Sequence, residues 1–161
     1  MDLPTVGAPA PGVALPDATG TIHDLKNQRG RWTVLYFYPK DDTPGCTVEA
    51  CEFRDANETI SERGADVWGI SPQGAASKRA FSEKFGLPFT LLADEDHAVA
   101  DAYGTWVEKR NYGKTYWGVQ RATFIIGPDG RVAHVIPKAS PKTHDDEVLA
   151  ALAELDQATA T

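Results

Sequence analysis

Residues 36–51 have the sequence YFYPKDDTPGCTVEAC, which contains both cysteines of the chain and from which the fold is best predicted. Residues 32–38 are an apolar and aromatic run, which is typical of a strand buried on both faces. Pro39 cannot donate a hydrogen bond to a neighbouring strand, so we expect the strand to end there. Thr43 and Pro44 have the residue types of a helix N-cap and a first helical position. The stretch therefore predicts a buried strand that leads through a short loop into a helix.

The predicted helix has Cys46 in its first turn. The backbone N–H groups of that turn have no partner within the helix, and the helix dipole is positive at this end. Both features favour the thiolate form of Cys46, which is the nucleophilic form of a cysteine. A buried and unreactive cysteine is the alternative, because free cysteines are commonly small buried hydrophobes. The position of Cys46 in a proline- and glycine-containing loop favours the reactive interpretation.

The rest of the sequence predicts alternating strands and helices, followed by a hairpin. The predicted elements are a turn-rich arm at 4–20, a short hairpin ending near 25, helices at 43–63, 73–85, 94–103 and 143–155, strands at 65–70 and 89–93, a hairpin of 121–126 with 131–136, and a fraying tail at 156–161. This order predicts an α/β fold with a mixed central sheet flanked by helices. We expect residues 1–161 to form a single domain.

The composition is acidic, with 23 acidic and 16 basic residues and a formal net charge of −7. Such a balance argues against binding to nucleic acid or to an anionic membrane. The start of the chain has no signal-peptide pattern, and no apolar run is long enough to cross a bilayer, so we expect a cytoplasmic protein. In that compartment two cysteines indicate catalytic or redox chemistry rather than a structural disulfide.

The segment at residues 39–46, with Thr43 three positions before Cys46, resembles the active-site loop of a peroxiredoxin. The second cysteine, Cys51, lies five positions later and is similar to that of the bacterioferritin comigratory protein, or peroxiredoxin Q, branch. The resemblance continues through GIS at 69–71, FTLLADEDH at 89–97, GKTY at 113–116 and Arg121 before an apolar run. It implies a thioredoxin-like fold with a short N-terminal hairpin extension. It also implies a peroxidase that reduces hydrogen peroxide and organic hydroperoxides with electrons from thioredoxin or a similar dithiol.

The resemblance implies different tasks for the two cysteines. The Cys46 thiolate attacks a peroxide oxygen and becomes a sulfenic acid. Cys51 then condenses with the sulfenic acid to an intramolecular disulfide, which the external dithiol reduces. A packed and idle Cys51 is the alternative.

Four further residues of the matched pattern are candidates for the site. Thr43 is expected to cap the helix and to orient the peroxide, and Arg121 to hold the thiolate and a peroxide oxygen with its fixed charge. Glu49 is a candidate ion-pair partner that orients Arg121, with a solvated helix residue as the alternative. Pro39 is expected to shield and shape the pocket.

The segment 105–120 has no clear periodicity and contains the aromatic residues Trp106, Tyr112, Tyr116 and Trp117 among basic residues. We expect a surface loop whose aromatic side chains cover the core. The wall of a peroxide pocket and a contact with a partner are the alternatives.

Other functions remain alternatives at this point. A redox sensor or holdase would use the same disulfide as a switch, whereas a thiol–disulfide oxidoreductase normally has two residues between its cysteines. A cysteine hydrolase needs a histidine base, and none can be assigned to Cys46. The four scattered histidines have no metal-ligand spacing, and no phosphate-binding glycine loop is present, so we expect no metal and no organic cofactor. We expect a monomer, with a dimer as the alternative.

Overall fold

The computed structural model describes residues 3–139 and 144–159. In chain order the elements are β1 (Ala14–Pro16), β2 (Ile22–Asp24), β3 (Trp32–Phe37), α1 (Pro44–Glu62), β4 (Ala65–Ser71), α2 (Ala75–Phe85), β5 (Thr90–Ala93), α3 (Ala98–Ala102), β6 (Trp106–Asn111), β7 (Lys114–Val119), β8 (Ala122–Ile126), β9 (Val132–Ile136) and α4 (His144–Thr159). No helix in these two ranges combines the length and the apolar content needed to cross a membrane.

The central sheet has five strands in the order β5-β4-β3-β8-β9. Strand β3 lies in the middle and pairs in parallel with β4, which itself pairs in parallel with β5. On its other side β3 pairs antiparallel with β8, which forms a hairpin with β9. The predicted mixed sheet is therefore confirmed, with the parallel strands contributed by the strand–helix units and the antiparallel strands by the later hairpin.

Alternate residues of β3 point to opposite faces of the sheet, and each face has its own apolar core. On one face Val34 and Tyr36 pack with residues of α1, α2 and α4. On the other face Leu35 and Phe37 pack with α3 and with residues of the N-terminal arm. Because both faces of the sheet are covered, the sequence of β3 is continuously apolar and does not alternate between apolar and polar residues.

The segment 105–120 is not a loop, and this prediction was wrong. Strands β6 and β7 form an antiparallel hairpin of their own. Its turn has positive φ angles of 53° at Tyr112 and 75° at Gly113, a pattern typical of a tight hairpin turn. The side chain of Tyr112 is 97% exposed and that of Trp117 is 58% exposed, so these rings do not cover the core, whereas Trp106 does pack against it as expected. Because this ribbon is separate from the central sheet, its sequence lacks the apolar alternation of a half-buried strand.

Two predicted helix boundaries also differ from the structure. Helix α3 is shorter than predicted, because the carboxylate of Asp94 accepts backbone hydrogen bonds from Val99 and Ala100 and thereby holds a turn before the helix. Helix α4 continues to Thr159, beyond the predicted end at residue 155, because no glycine or proline follows to stop it. The predicted helix start at Thr143 and the last two residues of the predicted tail lie outside the described residues.

Candidate active site

The loop between β3 and α1 presents Cys46 at the carboxyl end of the central strand. Strand β3 ends at Phe37, the backbone N–H of Tyr38 still bonds to Ile70 of the neighbouring strand at 3.1 Å, and α1 begins at Pro44. Cys46 therefore lies in the first turn of the helix, as predicted, with its side chain buried against the core. The structure contains both cysteines as free thiols.

Arg121 lies beside Cys46, although 75 residues separate them in the sequence. Its Nη2 donates a hydrogen bond to Cys46 Sγ at 3.3 Å. The strand pairing explains this approach, because Ala122 of β8 is directly opposite Phe37 of β3. Arg121 thus precedes β8 at the same end of the sheet where β3 leads into the loop that contains Thr43.

Glu49 is completely buried and forms an ion pair with Arg121. Arg121 Nη1 donates to Glu49 Oε1 at 2.8 Å, so the alternative of a solvated helix residue is wrong. Glu49 and Cys46 are three residues apart on α1 and therefore lie on the same face of the helix. Burial alone would lower the pKa of Arg121, but its interactions with Glu49 and Cys46 outweigh burial and raise that pKa above its ordinary value. The guanidinium is thus a permanent charge between a carboxylate and a thiol.

Thr43 has the backbone geometry of a helix N-cap but not the expected side-chain bond. Its carbonyl oxygen accepts the first helical hydrogen bond from Thr47 N at 2.8 Å. Its hydroxyl makes no capping hydrogen bond and instead donates to the carbonyl oxygen of Lys40 at 3.0 Å. The prediction of a side-chain cap was therefore wrong. The N–H groups of the first turn remain available to a negatively charged group near Cys46.

Pro39 and Cys51 lie at the two ends of the site. The carbonyl oxygen of Pro39 accepts a hydrogen bond from Gln73 Nε2 at 3.1 Å, which ties the start of the loop to the segment after β4. Cys51 is partly exposed and lies in the second turn of the same uninterrupted helix as Cys46. Five helical residues correspond to a rotation of about 140°, so the two thiols project from different faces of α1.

Two groups of site residues were missed from the sequence. Asp41 of the loop after β3 and Lys78 of α2 form a buried ion pair. The sequence signal for this ion pair is the lysine at position 78, which lies three residues before Phe81 and thus on the buried face of α2. Lys109 of β6 lies near the site as well. Burial lowers the pKa of Lys109, and the positive charge of Arg121 lowers it further.

Among the side chains that the structure describes, no three His, Cys, Asp or Glu residues converge on one point as metal ligands would. His23 pairs with Asp17 at 2.7 Å, and the ring of His97 stacks on Trp106 with 3.9 Å between ring centroids. These two histidines thus have local structural contacts. The side chain of His144 lies outside the described part of the chain.

Comparisons with known proteins show which family the chain resembles. The sequence profile of the AhpC/TSA family matches residues 6–135. Peroxiredoxin Bcp of Bacillus subtilis (strain 168) is 41% identical over 152 residues, which are 94% of this chain and 97% of that protein. A solved structure of a cysteine variant of Xylella fastidiosa PrxQ aligns with a TM-score of 0.89 at 31% identity, over 94% of this chain and 97% of that chain. The bacterioferritin comigratory protein of Xanthomonas campestris aligns with a TM-score of 0.85 at 38% identity, over 89% of this chain and 92% of that chain.

These structural neighbours confirm the thioredoxin-like fold that the resemblance implied. The matched region contains residues 39–46, both cysteines and Arg121. The chain therefore belongs to the AhpC/TSA family of thiol-dependent peroxidases, in its peroxiredoxin Q and bacterioferritin comigratory protein branch.

Proposed function

We propose that Cys46 is the nucleophile of this thiol-dependent peroxidase. The observation that carries the proposal is the hydrogen bond of 3.3 Å from Arg121 Nη2 to Cys46 Sγ, at a helix start with open backbone donors. The thiolate sulfur attacks one peroxide oxygen and the O–O bond breaks. An alkoxide or hydroxide leaves and takes up a proton, while the sulfur is oxidised to a sulfenic acid.

The surrounding residues orient the peroxide and stabilise the charge that develops on the leaving oxygen. Arg121 supplies a fixed positive charge beside the sulfur, and Glu49 holds the guanidinium plane in place. The hydroxyl of Thr43 donates to Lys40, so its oxygen lone pairs can accept the O–H of a hydroperoxide. Pro39 is the rigid first residue of the loop and limits its backbone freedom.

Cys51 is the resolving cysteine in this proposal. Its sulfur attacks the sulfenic sulfur of Cys46, an S–S bond forms, and the hydroxyl group leaves as water with the thiol proton. In an intact helix the two Cα atoms lie roughly 8.6 Å apart, since five residues give about 7.5 Å of rise on a cylinder of about 2.3 Å radius. A disulfide needs about 4.4–6.8 Å between Cα atoms. The first turns of α1 must therefore unwind before the disulfide forms.

The substrates follow from the family and its relatives. Peroxiredoxins use peroxides with a thioredoxin-type reductant, and the relative from X. campestris is described by its alkyl peroxide reduction activity. We assign both hydrogen peroxide and organic hydroperoxides to this chain. We further infer a single domain that acts as a monomer, because both cysteines of the reaction lie on one helix. A cytoplasmic location fits this cycle, since that compartment keeps dithiol donors reduced.

A coupled assay tests the proposal. Peroxide is added to the protein with NADPH, thioredoxin reductase and thioredoxin, and NADPH oxidation is followed over many turnovers. We expect continuous consumption by the parent protein and none by Cys46→Ser, with an unchanged circular dichroism spectrum. A single stoichiometric oxidation of the parent would instead indicate a redox sensor. Substantial activity of Cys46→Ser would show that the nucleophile is assigned wrongly.

A further inference from the structure

A buried polar cluster lies between the catalytic loop and helix α2. The carboxylate of Asp41 accepts hydrogen bonds from Tyr38 Oη, from Ser77 Oγ at 2.8 Å and from Lys78 Nζ at 3.4 Å. The side chain of Lys78 is 0% exposed and that of Asp41 is 2% exposed. Burial of a lysine is costly unless the charge is paired, so this arrangement needs an explanation beyond ordinary packing.

The same cluster holds the backbone of the loop at two places. Gln73 accepts a hydrogen bond from Asp41 N at 3.0 Å and donates one to the carbonyl oxygen of Pro39 at 3.1 Å. Ser71 connects the two halves, because it accepts from Lys78 Nζ and donates to Gln73 Oε1 at 2.8 Å. Residues 71–78 thus form a cradle on which loop 39–43 rests.

We propose that Lys78 and Asp41 are positioning residues that hold loop 39–43 and the first turn of α1 in the peroxide-reactive conformation, and that this pair must release before Cys51 reaches Cys46. The proposal rests on the assignment of Cys46 and Cys51 made above. Asp41 lies five residues before Cys46, so the loop cannot retract from the cradle without moving the helix start. The pair therefore favours attack on peroxide and opposes disulfide formation.

Cys46 is also one of the groups whose electrostatic interaction reaches Lys78. The charged groups that face Lys78 are Asp41 of the loop, Asp94 after β5 and Cys46 of α1, and each favours its protonated form. Burial outweighs these three and lowers the pKa of Lys78 to about 8. Tyr38 Oη and Ser71 Oγ complete its surroundings and carry no charge at this pH. Release of the loop removes Asp41 but leaves Lys78 buried on α2, so only a charged Lys78 favours the seated loop, and the ion pair weakens as the pH rises through about 8. Global unfolding differs, because it also exposes Lys78 to water.

The decisive variant is the double substitution Asp41→Asn and Lys78→Met, which removes both charges while conserving side-chain volume. Replacing a buried ion pair as a unit avoids the unpaired charge that either single substitution would leave. Lys84→Met is the matched control, because Lys84 is on the same helix and pairs with Asp42 of the same loop at 2.9 Å, but in an exposed position. Thermal unfolding verifies that all three proteins are folded.

Stopped-flow tryptophan fluorescence separates the two steps, since oxidation of Cys46 depends on peroxide concentration and disulfide formation does not. In the double variant we expect oxidation of Cys46 to be about 10–100-fold slower, because the reacting sulfur is displaced. We expect formation of the disulfide with Cys51 to be faster. Lys84→Met should stay within about twofold of the parent in both steps. The ratio of parent to double-variant oxidation rates should fall as the pH rises from 7 through about 8.

Unchanged rates for both steps, or a ratio that does not depend on pH, would overturn the proposal. A parent protein that does not form a sulfenic acid at Cys46 would instead overturn the proposed function. If the double variant does not fold, amide hydrogen exchange of the parent protein tests the proposal instead. After correction for the intrinsic pH dependence, protection of amides 39–51 should fall above pH 8, and constant protection would contradict the proposal.

Discussion

Arg121 Nη1 and Glu49 Oε1 lie 2.8 Å apart in an ion pair whose carboxylate is fully buried. The second terminal nitrogen of the same guanidinium contacts Cys46. Glu49 thus fixes the plane of a group whose other edge touches the sulfur of Cys46. Breaking a buried pair leaves one charge without its partner, which costs more than the pair itself contributes.

Glu49→Gln should slow oxidation of Cys46 by about tenfold, because the guanidinium keeps its charge but loses its orientation. Arg121→Ala should slow it further, since the charge at the sulfur is removed as well. Rapid-mixing measurements of sulfenic acid formation, at several peroxide concentrations, provide both rate constants. Arg110→Ala, on the separate hairpin, serves as the control for a lost surface arginine. Equal rates for Glu49→Gln and the parent would show that Arg121 needs no orienting partner.

Cys51→Ser should react with the first equivalent of peroxide at the rate of the parent and then stop. Without the resolving thiol the sulfenic acid persists, and a second peroxide converts it to a sulfinic acid. Intact-protein mass spectrometry would detect the successive addition of oxygen atoms at Cys46. In the parent, hydrogen exchange across residues 43–55 should speed up on oxidation and recover on reduction. Recycling of Cys51→Ser by thioredoxin at the parent's rate would contradict this mechanism.

The stability of the protein should rise with pH between about 7.5 and 9.5 through Lys78. Its pKa is about 8 in the folded protein against an ordinary value of 10.5, so in this range the unfolded chain binds more protons. Linkage then requires the free energy of unfolding to increase with pH, by about 2 kcal/mol from this group. Urea unfolding at several pH values measures the increase. The Asp41→Asn, Lys78→Met double variant should lack it, and an equal increase in that variant would assign the effect to other groups.

Gly69→Ala should destabilise the fold by about 1–3 kcal/mol, the usual cost of overpacking a core. A Cβ atom at Gly69 would lie 2.7 Å from Tyr36 Cζ and 2.9 Å from Leu91 Cδ2. The ring of Tyr36 cannot move away freely, because it stacks on Phe53 of α1 with 4.8 Å between ring centroids. Chemical denaturation of the variant measures the loss. Gly12→Ala is the matched control, since nothing lies within 4 Å of its added Cβ.

The central strand and the helix start could be predicted from the sequence because both have local signals. Residues 32–38 are continuously apolar, and Thr43-Pro44 marks the helix start. The nearness of Arg121 to Cys46 depends on the pairing of β3 with β8, which no local pattern specifies. It was inferred from the family resemblance and from the need for a fixed positive charge.

The burial of the charged groups could not be predicted, because it is created by packing. The pairing of Glu49 with Arg121 was a candidate from the matched pattern, but only the fold shows that Glu49 is fully buried rather than a solvated helix residue. Asp41 lies in a loop and Lys78 in a helix, and the two residues are 37 positions apart in the sequence. The hairpin β6–β7 was missed because neither of its strands belongs to the central sheet, so its sequence lacks the apolar alternation of a half-buried strand.

The pairing of β3 with β8 also has a consequence for protein synthesis. A growing chain contains both cysteines long before it contains Arg121, and the antiparallel pairing of Phe37 with Ala122 must form before the guanidinium reaches the sulfur. Contacts between such distant residues form late in folding, because a long loop must first be closed. In the proposed reaction Arg121 therefore reaches Cys46 only once the β8–β9 hairpin has docked. An incomplete chain on the ribosome contains both cysteines before it contains the arginine proposed to act on Cys46.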